Sequence, residues 1–418
     1  MTNPDPLPRR PAWEIPFLTA LLAATIWVAC FYVPGVWLLT GIGEADKPFL
    51  DLRNLVSAGE VAQLGLDPYV SNPLDPYHRP HGFSSWWLAG GRLGLTREDI
   101  AWLGTLLLGV TLASTALLLR PAGWRQGAGL LLVLVSPPLL FLVNRANHDL
   151  VVFVLMSLAL LGLRDGRTPV RALAILLLAV SAVLKYFPLA AVVLLLDART
   201  RREFAGWCLL YALVLLLAWP SLEQALRTAA SHQPAPAWLF AFGAPTIFRN
   251  LGLASAAPWG WLAAGLLLLA GAVNWWRGAA RKAPPAIAAA RTWEREFACG
   301  AVMIVGCFLH GSSYLYKMVF ALWLLPWLWR AKLDQGEERW RRATQTLLLA
   351  VLWFEGGATL AINLSVFSGT LAPAVAHRLL EVTIQIGQLF TWALVACLWR
   401  ALLLYLGREA WRLLKGPR

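Results

Sequence analysis

Residues 49–81 read FLDLRNLVSAGEVAQLGLDPYVSNPLDPYHRPH and lie between two strongly apolar stretches. This segment is rich in ionisable side chains, including Asp51, Glu60, Asp67, Asp75, His78, Arg79 and His81. Because charged groups are costly inside a bilayer, such a segment is expected outside the hydrocarbon. Carboxylates and histidines are also the groups that usually perform acid–base catalysis. The segment therefore predicts an external loop that carries a catalytic site at the membrane surface.

The rest of the chain has the composition of a membrane protein. Of its 418 residues, 58% are hydrophobic and 14% are charged. Several of its apolar runs approach or exceed the roughly 20 residues that span a bilayer. These runs lie at about 16–40, 101–119, 258–274, 343–363 and 380–406. We expect an all-α, polytopic transmembrane bundle of about twelve helices. Residues 1–418 would form one integral membrane domain, with residues 41–100 as its first external, periplasmic loop.

The net charge of +13 fits either nucleic-acid binding or the positive-inside rule of membrane proteins. Lys and Arg concentrate in alternate loops, starting with Arg9 and Arg10 and ending in residues 400–418. This bias favours the second interpretation, with no nucleic-acid partner. It places both termini in the cytoplasm, the chain in the inner (plasma) membrane and the site on the periplasmic or exterior side. The five Cys residues show no zinc-ligand spacing and predict no disulfide.

Lys185 lies in an apolar stretch between Arg171 and Arg199, both of which belong in the cytoplasm on the positive-inside rule. Only about 27 residues separate them, whereas two full crossings need about 40. A broken or re-entrant hairpin with Lys185 at its turn resolves this conflict. A lysine at membrane depth is by default a functional candidate, although snorkelling to the surface is the alternative.

Asp51 opens an amphipathic pattern that predicts an interfacial helix ending at Gly65. Its spacing is that of an N-cap, so Asp51 could cap the helix, act in catalysis, or do both. Asp67-Pro68-Tyr69 and Asp75-Pro76-Tyr77 are turn signals. Simple loop turns are the preferred interpretation of both, and catalysis is the alternative.

Two further polar segments interrupt apolar runs. In NRANHD, residues 144–149, Asn147 or Asp149 could cap the following helix, while Arg145 and His148 could face an anion. In the second segment His310 and Lys317 flank an outer turn and predict either structural roles or an anion site. Glu355 and Glu381 also fall in apolar runs, where they could pair with these cations or line a cavity.

Several common catalytic patterns are missing from the sequence. It has no glycine-rich phosphate loop, no GxSxG elbow and no HExxH pair. An ATPase or a metalloprotease is therefore not predicted.

Four motifs occur in order between about residues 50 and 330. They are Asp51-Leu52 followed by a small-residue helix and Gly65-x-Asp67-Pro68-Tyr69, then Arg145-Ala146-Asn147-His148-Asp149, then Leu184-Lys185-Tyr186-Phe187-Pro188, and last Ser313-Tyr314-Leu315-Tyr316-Lys317 running to Leu325-Pro326. Together they resemble the polytopic, polyprenyl-phosphate-sugar-dependent glycosyltransferases of the C superfamily (GT-C), in the branch of the mycobacterial α-1,2-mannosyltransferases. Lys317 stands where that family usually has Arg, and Ala146 where it has Gly.

The resemblance implies a hexosyltransferase. It would move a hexose, mannose by analogy, from a polyprenyl-phosphate sugar to a lipid or glycan acceptor at the outer membrane face, with inversion. Asp51 would be the catalytic base, and the donor phosphate would be bound by Lys185, Lys317, Arg145 and His310. Less directly, the substrate would contact Asp67, Tyr69, His78, Asn147 and Asp149. No metal and no other cofactor is required, although Asp67 or Asp75 could recruit a metal.

Two other classes fit parts of the sequence. A secondary transporter would also have a broken helix and buried charges, although it would usually show an internal repeat. A non-catalytic membrane protein that binds polyprenyl lipids would keep the cations and lack turnover.

Overall fold

The computed structural model describes residues 13–33, 48–231, 239–253, 257–279, 292–311, 313–329 and 335–415. Both chain termini, whose cytoplasmic location was predicted, lie outside these ranges. In the described part, the chain is helical apart from one short ribbon, which confirms the all-α class.

The α-helices are α1 (Glu14–Tyr32), α2 (Leu50–Gln63), α3 (Ala89–Arg92), α4 (Ile100–Leu119), α5 (Trp124–Leu134), α6 (Pro137–Arg145), α7 (Asp149–Leu163), α8 (Thr168–Leu184), α9 (Arg201–Leu217), α10 (Trp219–Ser231), α11 (Thr246–Asn250), α12 (Ala257–Ala279), α13 (Thr292–His310), α14 (Leu325–Leu328), α15 (Gln335–Phe367) and α16 (Pro373–Lys415). The 3-10 helices are Ser85–Leu88, Arg97–Asp99, Phe187–Asp197 and Leu315–Leu324. The strands are β1 (Ala241–Phe242) and β2 (Ser313–Tyr314).

Four of the described helices, α1, α4, α15 and α16, are long and apolar enough to cross a bilayer. The pairs α5–α6 and α9–α10 meet the same criterion together but bend by 57° and 68°. Pro137 and Pro220 lie in the first turns of α6 and α10, where proline starts a new helix and cannot continue the previous one. The described residues thus contain four to six candidate membrane-spanning segments, which indicate a membrane-embedded protein. The predicted number of about twelve is not confirmed.

The predicted hairpin around Lys185 is present. Helix α8 ends at Leu184, Lys185 is extended, and the chain returns as the 3-10 helix Phe187–Asp197. The two arms close at their far ends, because the Arg171 guanidinium donates to the backbone carbonyl of Asp197 at 3.1 Å. Lys185 therefore lies at the turn of a closed hairpin.

The loop that was predicted to be external packs on the bundle through its first helix. Gly65 has φ 76° just after α2, so it ends this helix as predicted, in a conformation that favours glycine. Farther along α2, a Cβ on Gly59 would lie 2.8 Å from the backbone nitrogen of Gly91, so α2 and α3 touch backbone to backbone. This contact fixes α2, and with it Asp51, against the rest of the loop.

A two-stranded ribbon supports the second polar segment. Strands β1 and β2 are antiparallel, with Ala241 opposite Tyr314. Glu355 of α15 accepts a hydrogen bond from the Phe240 N–H at 2.8 Å, and Gln388 of α16 donates to the Ala241 carbonyl at 2.6 Å. The 3-10 helix that follows β2 is buried at every residue, so Lys317 belongs to the innermost element described.

Helix α16 also reaches the base of the hairpin. Its 43 residues extend for about 65 Å at 1.5 Å per residue. Near its C-terminal end, Arg412 donates to the carbonyls of Leu196 and Ala198 at 2.8 and 2.9 Å. The last helix therefore holds the end of the 3-10 arm that begins beside Lys185.

Candidate functional site

Asp51 is the acceptor of a dense hydrogen-bond cluster. It is the second residue of α2, and Phe49, with φ 59°, precedes the helix, so the predicted N-cap role of Asp51 is wrong. Arg145 binds its carboxylate in a bidentate manner, with Nε at 2.9 Å and Nη2 at 2.6 Å. The Nη1 of Arg79 donates at 3.1 Å, and the Asn147 amide donates to the second oxygen. Four donors thus take up the two carboxylate oxygens.

The charges around Asp51 decide its protonation state. Burial alone would raise the pKa of this carboxyl, since the side chain is taken out of water. The Arg145 guanidinium, the Arg79 guanidinium and the Asn147 amide outweigh burial and hold the pKa well below its usual range. Asp51 is therefore an ionised carboxylate at any physiological pH.

Arg79 is tied to the loop by Asp75. The Nε and Nη2 of Arg79 lie 3.0 and 2.9 Å from the two oxygens of Asp75, and Nη2 also donates to the Leu50 carbonyl at 2.7 Å. Asp75 also accepts hydrogen bonds from the backbone N–H groups of Tyr77 and Arg79. The second Asp-Pro-Tyr turn thus fixes the guanidinium that reaches Asp51.

A second charged cluster lies close by. Asp149, which is fully buried, accepts a hydrogen bond from Lys185 on one oxygen and from Lys317, at 2.7 Å, on the other. The Phe187 ring centroid lies 3.9 Å from the Lys317 ammonium, so the cation also contacts an aromatic face. When both lysines are protonated, two ammonium groups and one carboxylate give this cluster one excess positive charge. Such a cluster can bind an anion.

One cavity of about 390 Å³ joins the two clusters. Its lining residues are Asp51, Asn54, Arg79, Pro80, Gly82, Phe83, Arg145, Asn147, His148, Lys185, Tyr186, Phe187, Cys307, His310, Gly311, Ser313, Tyr314, Tyr316 and Lys317. Asp149 is not among them, so it supports the two lysines from behind. The cavity presents a carboxylate at one cluster and ammonium groups at the other.

The predicted phosphate-binding cations all line this cavity, but they differ in their partners. Arg145 uses Nε and Nη2 on Asp51, while its Nη1 makes no hydrogen bond within the described residues. His310 is exposed, and its ring packs at a tilt against that of Tyr186, with centroids 4.3 Å apart. Lys185 and Lys317 lie together on Asp149, although 132 residues separate them along the chain.

The predicted substrate-binding residues divide into two groups. Asn147 lines the cavity and also accepts a hydrogen bond from the Asp149 N–H at 2.9 Å, so it caps α7 as well. Asp67 is exposed and accepts from the Tyr69 N–H at 2.9 Å, which is the turn geometry expected of Asp-Pro-Tyr. Tyr69 donates to the Phe83 carbonyl at 3.1 Å, and His78 is exposed. These three residues of the loop do not line the cavity.

The two intramembrane glutamates do not line the cavity either. Glu355 supports the ribbon through Phe240, and Glu381 is exposed near His377, at 3.4 Å. Neither forms a salt bridge with Lys185 or Lys317 among the described residues.

Several cavity residues were not predicted as site residues, above all Arg79, Asn54, Phe83 and Tyr316. Asn54 follows Asp51 by three positions on one helix face, and it donates to the Arg79 carbonyl at 2.9 Å. That spacing was a usable signal. Phe83 and Tyr316 gave no such spacing signal, because an aromatic residue that lines a site cannot be told by sequence from one that packs in the core.

Searches against protein-family models and against curated proteins find no match for this chain.

Proposed function

We propose that this protein is an integral membrane glycosyltransferase. It moves a hexose, with mannose as the first donor to test, from a polyprenyl-phosphate sugar to a lipid or glycan acceptor. The proposal includes a GT-C architecture with about twelve crossings and a site at the outer face of the inner membrane. The observation that carries the proposal is the cavity that holds Asp51 at one cluster and the pair Lys185 and Lys317 at the other.

The lysine cluster suits the phosphate of the donor. Lys185 and Lys317 are nearly fully buried, and their surroundings keep water away from their charge. Electrostatic attraction to a phosphate is stronger in such a site than in water. The leaving polyprenyl phosphate gains a negative charge during transfer, and the free Nη1 of Arg145 adds a third donor for it.

Asp51 suits the acceptor. In the proposed step, the acceptor hydroxyl oxygen attacks the anomeric carbon, and the bond between that carbon and the phosphate oxygen breaks. The hydroxyl proton passes to Asp51 and the electron pair leaves with the polyprenyl phosphate. A single displacement of this kind inverts the anomeric configuration. No metal or cofactor takes part in the step.

Asp51 can act as a base only after one of its donors gives way, because four hydrogen bonds fill its two oxygens. Arg79 is the donor to displace, since its 3.1 Å bond to Asp51 is the longest of the four and Asp75 holds the same guanidinium independently. The low pKa means that proton transfer occurs late, once the attacking oxygen has bonded to carbon and become acidic.

The test is transfer by the purified protein in lipid vesicles. Polyprenyl-phosphate mannose with a radiolabelled sugar is the donor, and a membrane-lipid extract supplies the acceptor. Wild type should move the label to a new lipid, and Asp51→Asn should slow this at least about 100-fold. Glu60→Gln is the matched control, because Glu60 is a carboxylate of the same helix that pairs with Arg97 away from the cavity. Equal turnover by folded Asp51→Asn would exclude the base role.

Two specific observations favour other functions. The Asp51 carboxylate has its hydrogen-bonding positions occupied, which fits a non-catalytic protein that binds polyprenyl lipids. Such a protein would bind the donor without transferring its sugar. The two bent helix pairs and the break at Lys185 fit a secondary transporter. Uptake of a labelled solute by vesicles, with no sugar transfer, would favour the transporter.

A further inference from the structure

His148 is a polar residue of the cavity wall that the proposed transfer does not use. Its ring lines the cavity, and only 2% of the residue is exposed. Neither ring nitrogen has a hydrogen-bond partner among the described residues. Buried polar groups are normally paired, and an exception points to a function or to a bound molecule. The unused nitrogens therefore indicate a ligand contact.

His148 lies next to residues of both charged clusters. Asn147, the residue before it, binds Asp51, and Asp149, the residue after it, binds Lys185 and Lys317. In the proposed transfer, the sugar lies between the attacking oxygen at Asp51 and the phosphate at the lysines. The wall of the same cavity includes His148, so its imidazole is close to the sugar in this arrangement.

The chemistry of the ring fits a hydroxyl group. Burial and the nearby Lys185 ammonium keep the pKa of His148 well below its usual range, so the imidazole is neutral. A neutral imidazole offers one hydrogen-bond donor and one acceptor. A sugar hydroxyl uses both, whereas an ionised phosphate oxygen only accepts. The neighbouring Phe83 ring, which also lines the cavity with its centroid 4.0 Å from that of His148, adds an apolar face for the carbohydrate C–H groups.

We propose that His148 recognises the sugar of the donor lipid by hydrogen bonding to its hydroxyl groups. This inference rests on the proposed glycosyltransferase function and names the residue that selects the hexose. The Phe83 ring packs against the imidazole, whose nitrogens are buried, so contact with a sugar requires the Phe83 side chain to shift.

The experiment compares two lipids that differ in the sugar alone. One is a short-chain prenyl-phosphate mannose, and the other is the methyl diester of the same prenyl phosphate, which has the same charge. Their affinities are measured for the full chain in lipid nanodiscs. Wild type should bind the mannosyl lipid about tenfold more tightly than the methyl diester, as one or two net hydrogen bonds allow.

His148→Phe should lose this preference, with the affinity for the methyl diester unchanged within about twofold. His148→Gln keeps one donor and one acceptor, so it should retain part of the preference. The exposed His377 supplies the control, and His377→Phe should behave as wild type. Unchanged binding of the methyl diester also shows that the His148 variants are folded.

Each other outcome has a defined meaning. An unaltered preference in His148→Phe, or an equal loss for both lipids, would overturn the role in sugar recognition. A preference that depends on His148, in a protein that transfers no sugar, would overturn the proposed transfer and leave the recognition standing. Wild type that binds neither lipid would overturn both.

Discussion

The Lys185→Met variant tests the charge of the cluster of Lys185, Lys317 and Asp149 while largely preserving its packing. Methionine fills a similar volume without the ammonium group. The cluster of Lys185, Lys317 and Asp149 then changes from one excess positive charge to none. A charge-assisted hydrogen bond contributes about 1.5–3 kcal/mol, so the variant should bind a short-chain prenyl phosphate about 10- to 150-fold more weakly.

The same substitution should change the free energy of unfolding by less than the roughly 3–5 kcal/mol that removing one partner of an isolated buried ion pair costs. That cost comes from a charge left without a partner, and here Asp149 keeps its hydrogen bond from Lys317. Thermal unfolding in detergent measures the change. Arg167→Met is the control, because Arg167 is exposed and its loss should change the unfolding free energy by less than about 0.5 kcal/mol.

Asp149→Asn gives the opposite change in affinity. It raises the excess charge of the cluster from one to two while leaving both lysines in place. It should be less stable than wild type, because two buried ammonium groups lose their carboxylate, but it should bind prenyl phosphate at least as tightly. Binding assays at several salt concentrations compare the two variants. If Asp149→Asn weakened binding as much as Lys185→Met, the excess charge could not be what binds the phosphate.

Three further predictions concern elements that support the site. Burial lowers the pKa of His81 to about 4, so the native state binds fewer protons than the unfolded state between about pH 4 and 6.5. Acidification from pH 7.5 to pH 5 should thus lower the free energy of unfolding of wild type by about 2 kcal/mol more than that of His81→Phe. Melting temperatures that fall equally with pH in the two proteins would contradict this. Gly91→Ala should destabilise the protein by at least about 2 kcal/mol, since its methyl group would strike the Gly59 backbone; an unchanged melting temperature would exclude that packing. Glu355→Gln keeps an acceptor for the Phe240 N–H and should melt close to wild type, whereas Glu355→Leu should lose about 1–3 kcal/mol, and equal melting of both would refute the bond.

The parts of the site that local sequence encodes were predictable. The helix break at Lys185 followed from a segment too short for two crossings, and Gly65 marked the end of α2. The turn around Asp67 followed from its Asp-Pro-Tyr sequence. Each of these features depends on residues within a few positions of one another, which is the range over which spacing rules apply.

Long-range pairing was not predictable. Asp51 looked like an N-cap, because an Asp before an amphipathic run usually accepts a backbone N–H. Its oxygens are instead taken by Arg145, which lies 94 residues away, and Arg79, which lies 28 residues away. Charge-assisted hydrogen bonds from arginine are stronger than one from a single backbone N–H. The spacing of charges along the chain does not indicate which distant arginine binds the Asp51 carboxylate.

The last turns of α16 are tied directly to the hairpin that carries Lys185. Arg412 donates to the carbonyls of Leu196 and Ala198, so a displacement of these turns acts on both carbonyls. Those carbonyls end the arm whose other end follows Lys185. If the proposed function is right, substitutions at Arg412 would therefore act on the hairpin of the donor site without touching the cavity.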